Sequence, residues 1–461
     1  MRLTIRATTG LALAALAILA TPAAAQQAHA PTRYDMAVAA GYKAAITCSA
    51  ALIGGRTQAQ IAEDELHGIY PEYDAIVHRL DARIDVPQGR VTVGYGEGMP
   101  PRIAQWSPVT GCTTLPIGTV PVPRVAGDQA ITPRPVAANP APWPLGDSLP
   151  RIAMMPLPPV AAAFDALSYG KGSKTTGVVV VRGNRIVAER YADGFGPFVA
   201  NRTWSVAKSI TGTLIGIAVG EGAIKVDQPA PIAAWHNERD PRQQITIDNL
   251  MRMASGLHSD TAGNRTDAVY FGGTTVDENV VQWPLEAKPG TRFRYANNDI
   301  LLAMLSLRSA LGEERYRYFP RDALFDKIGM HHTVAETDWH GNYIASSQIW
   351  TTARDLARFG MLYLNDGVWN GRRVLPEGWV KRISTPSGPQ PAGAFGYGAT
   401  FWLLDKSPGV PADAYGAFGN RGQYVVIVPS RGIVIVRRGE DPTGATFDIA
   451  RFTADILAAM K

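Results

Sequence analysis

Thr203-Trp204-Ser205-Val206-Ala207-Lys208-Ser209-Ile210 is the stretch from which the rest of the chain is read. Ser205 and Lys208 are three apart, so at the head of a helix their side chains share one face. An amine beside a hydroxyl accepts its proton when the surroundings lower the lysine pKa. A helix N-terminus also aims backbone N–H groups at charge that develops nearby. Ile210, Leu214, Ile215, Ile217 and Ala218 follow, making a strongly apolar helix. The plainer reading of Lys208 is a surface lysine whose stem lies along apolar neighbours. Ser-x-x-Lys recurs at Ser168-Tyr169-Gly170-Lys171, but inside a Gly-Lys-Gly loop with no helix after it. There the two side chains have no fixed relation.

Downstream, Pro289-Gly290-Thr291-Arg292-Phe293-Arg294-Tyr295-Ala296-Asn297-Asn298 ends in Tyr-x-Asn and leads into a helix (Ile300, Leu301, Met304, Leu305). A phenol beside an ammonium can act as base or proton shuttle, and Tyr295 sits on a turn from which a functional side chain can project. Its plainer reading is a half-buried tyrosine. Tyr363-Leu364-Asn365 repeats the pattern at the end of an amphipathic helix (Leu356, Phe359, Leu362), which reads as core packing and a cap.

Further outward the pattern becomes that of strands. Val178 to Val181, Gly183-Asn184 and Ile186 to Tyr191 read as a hairpin. Tyr424 to Val428, Pro429 to Gly432 and Ile433 to Arg437 read as a second, and Thr446 to Lys461 closes with an amphipathic helix. Helical sequence dominates from Ser205 to about Leu364. Strands at both ends with helices between predict an α+β fold of two lobes. One antiparallel sheet is built from both chain ends and flanked by helices, and an all-helical lobe is inserted. Upstream, residues 34–68 read as helical, punctuated by Gly54-Gly55, and 82–96 as a hairpin around Pro87-Gln88-Gly89. Residues 116–159 hold 12 of the chain's 34 prolines, too dense for regular helix or central strand, and read as an extended connecting arm.

At this point the residues carry a family resemblance. The chain resembles the serine hydrolases of the β-lactamase and penicillin-binding fold, in the class C-related branch with esterases and 6-aminohexanoate-dimer hydrolases. The matching pieces are Ser205-Val206-Ala207-Lys208, Ile245-Thr246-Ile247 with Ser255-Gly256-Leu257, and Pro289-Gly290 with Tyr295-Ala296-Asn297. Thr352-Ala353-Arg354-Asp355-Leu356 and Gly419-Asn420-Arg421-Gly422-Gln423 complete the set. Their order spans about residues 160–461. The resemblance implies a β-lactamase/transpeptidase-like fold with Ser205 as acylating nucleophile and Lys208 and Tyr295 moving the protons. It implies an oxyanion hole of the Ser205 N–H and a second donor at Asn420, after Gly419. Asn297 would position substrate or Lys208, and Tyr270 would close over substrate from a mobile loop. Where β-lactam enzymes begin their third motif with Lys or His, this chain has Ala417-Phe418-Gly419, as in the amide hydrolase and esterase branch. Arg421 reads as a solvated surface arginine. Trp204, Trp283 and Trp402 read as core, with a pocket wall as the alternative.

The whole chain sets the outer limits. It has 461 residues, 46% hydrophobic and 18% charged, which excludes a disordered chain. Lys+Arg number 45 and Asp+Glu 40, a net charge of +5, with no dense basic stripe, so no nucleic-acid partner is expected. Arg2 and Arg6, the apolar run Leu11–Ala20 and Ala23-Ala24-Ala25 read as a secretory signal over 1–25. Cleavage would leave 461 − 25 = 436 residues of charge 5 − 2 = +3. No other stretch reaches membrane-span length, so no membrane anchor is expected after cleavage, and the location is periplasmic or secreted. The expected organisation is 1–25 signal peptide, 26–115 N-terminal extension, 116–159 proline-rich arm and 160–461 hydrolase domain. Cys48 and Cys112 are the only cysteines, so any intramolecular bridge joins them; the alternative is two buried thiols. There is no Gly-x-Ser-x-Gly elbow, and Gly94-x-Gly96-x-Gly98 opens no helix. His331, His332 and His340 read as a polar loop, with no metal and no cofactor required. The expected activity is acyl-enzyme hydrolysis of a small-molecule ester or short amide. The alternatives on the same fold are a slow or non-catalytic penicillin-binding or cell-wall-peptide sensor, a D-peptidase or a β-lactamase.

Overall fold

The computed structural model describes residues 30–121, 137–150, 154–258 and 266–460. The stretch read as a signal peptide, 1–25, and part of the proline-rich arm lie outside the described residues. Among the described residues no helix is long and apolar enough to cross a membrane.

The N-terminal region holds helices α1 (Arg33–Leu52), α2 (Gln58–Asp64) and α3 (Pro71–Val77), then strands β1 (Ala82–Asp85), β2 (Arg90–Val93), β3 (Arg102–Ser107) and β4 (Gly111–Thr114). A capping box starts α1: the Asp35 N–H donates to the Thr32 hydroxyl, and the Thr32 N–H donates to the Asp35 carboxylate. The alanine-rich face of α1 packs on the antiparallel meander β1-β2-β3-β4. A Cys48–Cys112 disulfide joins α1 to β4.

The second part begins with α4 (Pro158–Ala162), β5 (Thr175–Arg182) and β6 (Arg185–Tyr191). Gly183, at φ +59°, makes the tight turn between these two strands. Next come β7 (Asn201–Arg202), α5 (Val206–Gly220), α6 (Ile247–Met251), α7 (Asp267–Tyr270), α8 (Val276–Asn279), α9 (Asn297–Leu311) and α10 (Glu313–Phe319). Strands β8 (Val334–Ala335) and β9 (Ile349–Thr351) pair with β7 in the order β7-β9-β8. After α11 (Ala353–Leu364) come a ribbon of β10 (Val368–Trp369) and β11 (Arg372–Arg373), and helix α12 (Trp379–Ser384). The chain ends with β12 (Gly396–Tyr397), β13 (Trp402–Leu403), β14 (Tyr415–Gly419), β15 (Gln423–Val428), β16 (Ile433–Gly439) and α13 (Ile449–Ala459).

The main sheet runs β12-β13-β14-β15-β16-β5-β6, antiparallel throughout, so the two hairpins read from the sequence meet along β16 and β5. Its period of two sorts the core. Val178, Val180, Val426, Val428 and Ile435 face a cluster with Val160 of α4 and Phe452 and Ile456 of α13. Val179, Val181, Val425, Ile427 and Val434 face the larger cluster with Ile210 and Leu214 of α5 and Leu356 and Phe359 of α11. Helix α11 approaches so closely that a Cβ on Gly360 would lie 2.4 Å from Val434. The fold is therefore β-lactamase/transpeptidase-like and mixed α+β, and the part inserted between β7 and β12 is largely helical but also carries the short strands β8 to β11, too brief to leave an alternating pattern in the sequence.

The larger cluster runs without a break from α1 into the second part, and three buried charged residues stitch the junction. Arg102 donates to Ala37 O (2.8 Å), Phe271 O (2.7 Å) and Gly272 O (2.8 Å). Glu336 accepts from Ser49 Oγ (2.5 Å), Cys112 N (3.0 Å) and Trp350 Nε1 (3.1 Å). Burial pushes its carboxyl up to about 7 against those three donors. Arg421 corrects the sequence reading. It is buried, at φ +54°, and donates to Asp64 O (2.6 Å), His67 O (3.0 Å) and Glu440 Oε2 (2.9 Å). Its partners lie far away along the chain, so no local pattern announces the burial. Part of the proline-rich stretch also docks: Arg358 donates to Asp147 Oδ1 (2.8 Å) and Pro144 O (2.9 Å), and Arg354 to Asp147 O (3.0 Å).

Candidate active site

Three converging elements build the site. The Thr203 N–H donates to Ile349 O (2.8 Å) of β9. The chain then turns through Trp204 at φ +49°. That region costs a bulky residue about 1–3 kcal/mol and persists only where the surroundings impose it. The Arg202 guanidinium lies 3.7 Å over the Trp204 ring, and the Tyr70 ring meets Trp204 edge-on at 6.3 Å. The turn leaves Ser205 half-buried at the head of α5, with Lys208 one turn on and fully buried.

Lys208 Nζ lies 2.9 Å from Ser205 Oγ, 2.5 Å from Asn297 Oδ1 and 3.0 Å from Ser346 O. The last two only accept. A neutral amine therefore spends both N–H groups on them and keeps its lone pair for the Ser205 hydroxyl. Burial, helped by the nearby Arg202 charge, brings the Lys208 amine down to about 7.

Asn297 opens α9 and Tyr295 sits just before it. The approach is fixed by Arg294 N–H to Met253 O (2.8 Å) and by Ser255 Oγ to the buried carboxylate of Asp299 (2.8 Å). Burial raises the Asp299 carboxyl to about 7. Ser255-Gly256-Leu257 thus serves to clamp the start of α9. Tyr295 is half-buried, with its ring 5.0 Å from Lys208 Nζ and 5.3 Å from the Trp402 ring. Desolvation pushes its phenol well above the ordinary value, so it stays protonated at neutral pH.

The third element is the end of β14. A Cβ on Gly419 would lie 2.5 Å from Thr203 O and 3.1 Å from Ser205 N, so only glycine lets this strand run against the serine turn. Asn420 follows and lines the same cavity.

The cavity over Ser205 has a volume of about 1020 Å³ and also takes in Tyr270, Tyr295, Asn297 and Gly419. Its wall is aromatic: Tyr70, Trp204 and Trp402, with Phe395, Phe418, Tyr424 and Phe447. Its charged lining residues, Lys406 and Asp448, are exposed. Tyr270 is buried at the end of α7, its hydroxyl 2.7 Å from Ser346 Oγ. Trp204 and Trp402 belong to the wall, whereas Trp283 stacks on His258 outside it.

The competing motifs come to nothing. Ser168 bonds Asp165 on the surface beside an exposed Lys171, and the Tyr363 hydroxyl is buried on Thr213 (2.7 Å). His332 faces Asp147 and His340 faces Asp277, so these histidines do not converge. Sequence reasoning missed Ser346, Arg202 and Tyr70. Ser346 contributes a backbone carbonyl, which any residue type supplies, so it had no signal. Arg202 precedes the motif directly, and a charge beside β7 was the available clue. Tyr70 lies in the N-terminal region, where no pattern linked it to Ser205.

Residues 160–459 match the family model described as Beta-lactamase. The chain is 32% identical over 228 residues to the 6-aminohexanoate-dimer hydrolase of Paenarthrobacter ureafaciens, covering 45% of this chain and 57% of that protein. It thus spans little more than half the length of that curated relative. A Bacillus anthracis protein provisionally named a 6-aminohexanoate-dimer hydrolase superposes with TM-score 0.55 at 24% identity, covering 62% of this chain and 79% of its own. A penicillin-binding protein homologue from Caulobacter crescentus gives TM-score 0.53 at 14% identity, covering 67% and 99%. These two likenesses bear on the fold.

Proposed function

Because the chain belongs to the beta-lactamase family and is similar to a 6-aminohexanoate-dimer hydrolase, we propose that it is an exported serine hydrolase. It cleaves an ester or short amide bond through an acyl-enzyme on Ser205. The observation that carries this reading is the 2.9 Å contact of Lys208 Nζ with Ser205 Oγ, with the amine's two other partners both acceptors.

In the proposed cycle neutral Lys208 takes the hydroxyl proton as Ser205 Oγ attacks the acyl carbon. The carbonyl oxygen becomes an oxyanion held by the N–H groups of Ser205 and Asn420. Tyr295 gives its phenolic proton to the departing alkoxide or amine and recovers the proton held by Lys208. The C–O or C–N bond breaks, and water then releases the acyl group by the reverse relay. The aromatic wall and the exposed position of the two charged lining residues support an uncharged, largely apolar substrate around the scissile bond. The name of the 32% relative, a hydrolase of an amino-acid dimer, supports a linear amide among the substrates. The Cys48–Cys112 bridge is compatible with an oxidising, periplasmic or secreted location.

Intact-mass labelling with a serine-reactive phosphonate, followed by peptide mapping, tests the nucleophile. One adduct at Ser205 is expected, with ester turnover abolished in Ser205→Ala. Label elsewhere, or full turnover in that variant, refutes the reading. Steady-state assays on nitrophenyl esters, a linear amide and a chromogenic cephalosporin separate a hydrolase from a penicillin-binding sensor, for which stable acylation without turnover is expected.

A further inference from the structure

We propose that His67, Asp74 and His78 form a binding site for a divalent transition-metal ion, of the zinc class, at the surface of the N-terminal region. Among the described residues these three bring their donor atoms together, each within 4.8 Å of the others. Asp74 and His78 are one helical turn apart on α3 and its C-cap, with His78 Nε2 3.5 Å from Asp74 Oδ1. The rings of His67 and His78 are 6.0 Å apart, centroid to centroid. In a tetrahedral zinc site with bonds of about 2.0–2.1 Å the donor atoms stand about 3.3 Å apart. The Asp74–His78 pair already meets that spacing. The two exposed imidazoles close the rest by side-chain rotation.

Asp74 Oδ1 is buried and, apart from the 3.5 Å approach of His78 Nε2, has no hydrogen-bond partner, a position that a bound cation would satisfy. The backbone on both sides is also held before any ion binds. Arg421 Nη1 donates to His67 O (3.0 Å), and Thr443 N donates to the carbonyl of the next residue, Gly68 (2.7 Å). On α3 the Tyr73 hydroxyl donates to Asp267 (2.7 Å). The backbone is thus ordered beforehand, and the imidazole rotations are what remain to be fixed on binding. Two imidazoles and one carboxylate select zinc, copper or nickel over magnesium and calcium, which want oxygen donors. The fourth position is open to water or an outside ligand. The ion touches none of the Ser205 machinery, so this site stands independently of the proposed activity.

The test uses the untagged full chain. Zn²⁺ is titrated against a chromogenic chelator, and Co²⁺ is added separately to read the visible bands of a four-coordinate ion. One Zn²⁺ per chain is expected, with Kd below about 10 μM, and Mg²⁺ is expected not to compete. His67→Ala and His78→Ala should each weaken Zn²⁺ binding about tenfold or more and abolish the Co²⁺ bands, while His331→Ala, at an exposed histidine elsewhere, changes neither. All three substitutions are at exposed side chains, and unchanged melting without metal establishes that each variant folds. Absence of stoichiometric binding, or affinity retained within about twofold in both triad variants, overturns the site.

Discussion

Replacing Arg202 by Gln should move the acid limb of the pH–rate profile. Arg202 and Lys208 are two buried cations, and among the described residues Arg202 forms no ion pair. Its guanidinium lies on Trp204 and donates to Ser347 Oγ (2.7 Å), and its charge, second to burial, helps hold the Lys208 amine at about 7. Only the neutral amine accepts the Ser205 proton, so kcat/KM for a rapidly assayed ester should rise through pH 7 and level off above it. Removing one neighbouring positive charge raises the lysine pKa by about one unit. At pH 7 the neutral fraction then falls from about a half to about a tenth, a loss of about fivefold, while at pH 9.5 the two enzymes differ by less than about 1.1-fold. Arg202→Lys keeps the charge and should keep the limb near its original position. The assay is kcat/KM from pH 5.5 to 9.5 in buffers of constant ionic strength. A wild-type limb near 10, or an Arg202→Gln profile lowered equally at every pH, would refute the reasoning.

Three further outcomes are expected. Cys48→Ala/Cys112→Ala removes a cross-link between residues 64 apart, so by loop entropy the urea-unfolding free energy should drop by about 4 kcal/mol; an unchanged midpoint would deny the bridge a stabilising role. Asp299 has a carboxyl raised from 3.8 to about 7. The native state therefore holds a proton the unfolded chain has released, and stability falls as pH rises from about 4 to 7. Asp299→Asn keeps an acceptor for Ser255 and should be more stable than the parent at pH 8 and equal to it at pH 3.5, read from chemical denaturation at both pH values. Tyr70→Ala opens the wall beside Trp204, and a lost aromatic contact of about 1–2 kcal/mol should lower kcat/KM for a bulky aryl ester about five- to thirtyfold. An acetyl ester, too small to reach the wall, should be unaffected; equal losses on both would place Tyr70 outside substrate contact.

Local pattern carried the sheet and the serine turn. The alternation from Val178 to Val181 and from Tyr424 to Ile435 shows which residues face which helices, because the period of two is a property of the strand itself. Ser205 and Lys208 were legible for the same reason: one helical turn brings them together whatever the rest of the chain does. Asn297 and Tyr295 needed the tertiary fold to reach them, and their motif order supplied it only through the family resemblance. What stayed illegible depends on distant partners. Arg421 reads as a surface residue because Asp64, His67 and Glu440 are remote in sequence. Tyr70 looks like a turn residue before Pro71, and only the packing of α3 against the Trp204 turn makes it a pocket wall.

The Arg421 clasp has a consequence for the order of events during synthesis. The arginine reaches back 357 positions to the Asp64 carbonyl, and it sits one residue after Asn420, which lines the pocket. A ribosome delivers the N-terminal region early and the clasp late, and contacts of such separation form only after most of the chain exists. Closing the pocket over Ser205 and locking the N-terminal region therefore become one late step. A nascent chain halted before residue 420 carries its nucleophile, but neither the strand end that completes the pocket nor the arginine that secures its wall. In the finished chain one short stretch, 419–421, thus both completes the pocket and ties the N-terminal region to it.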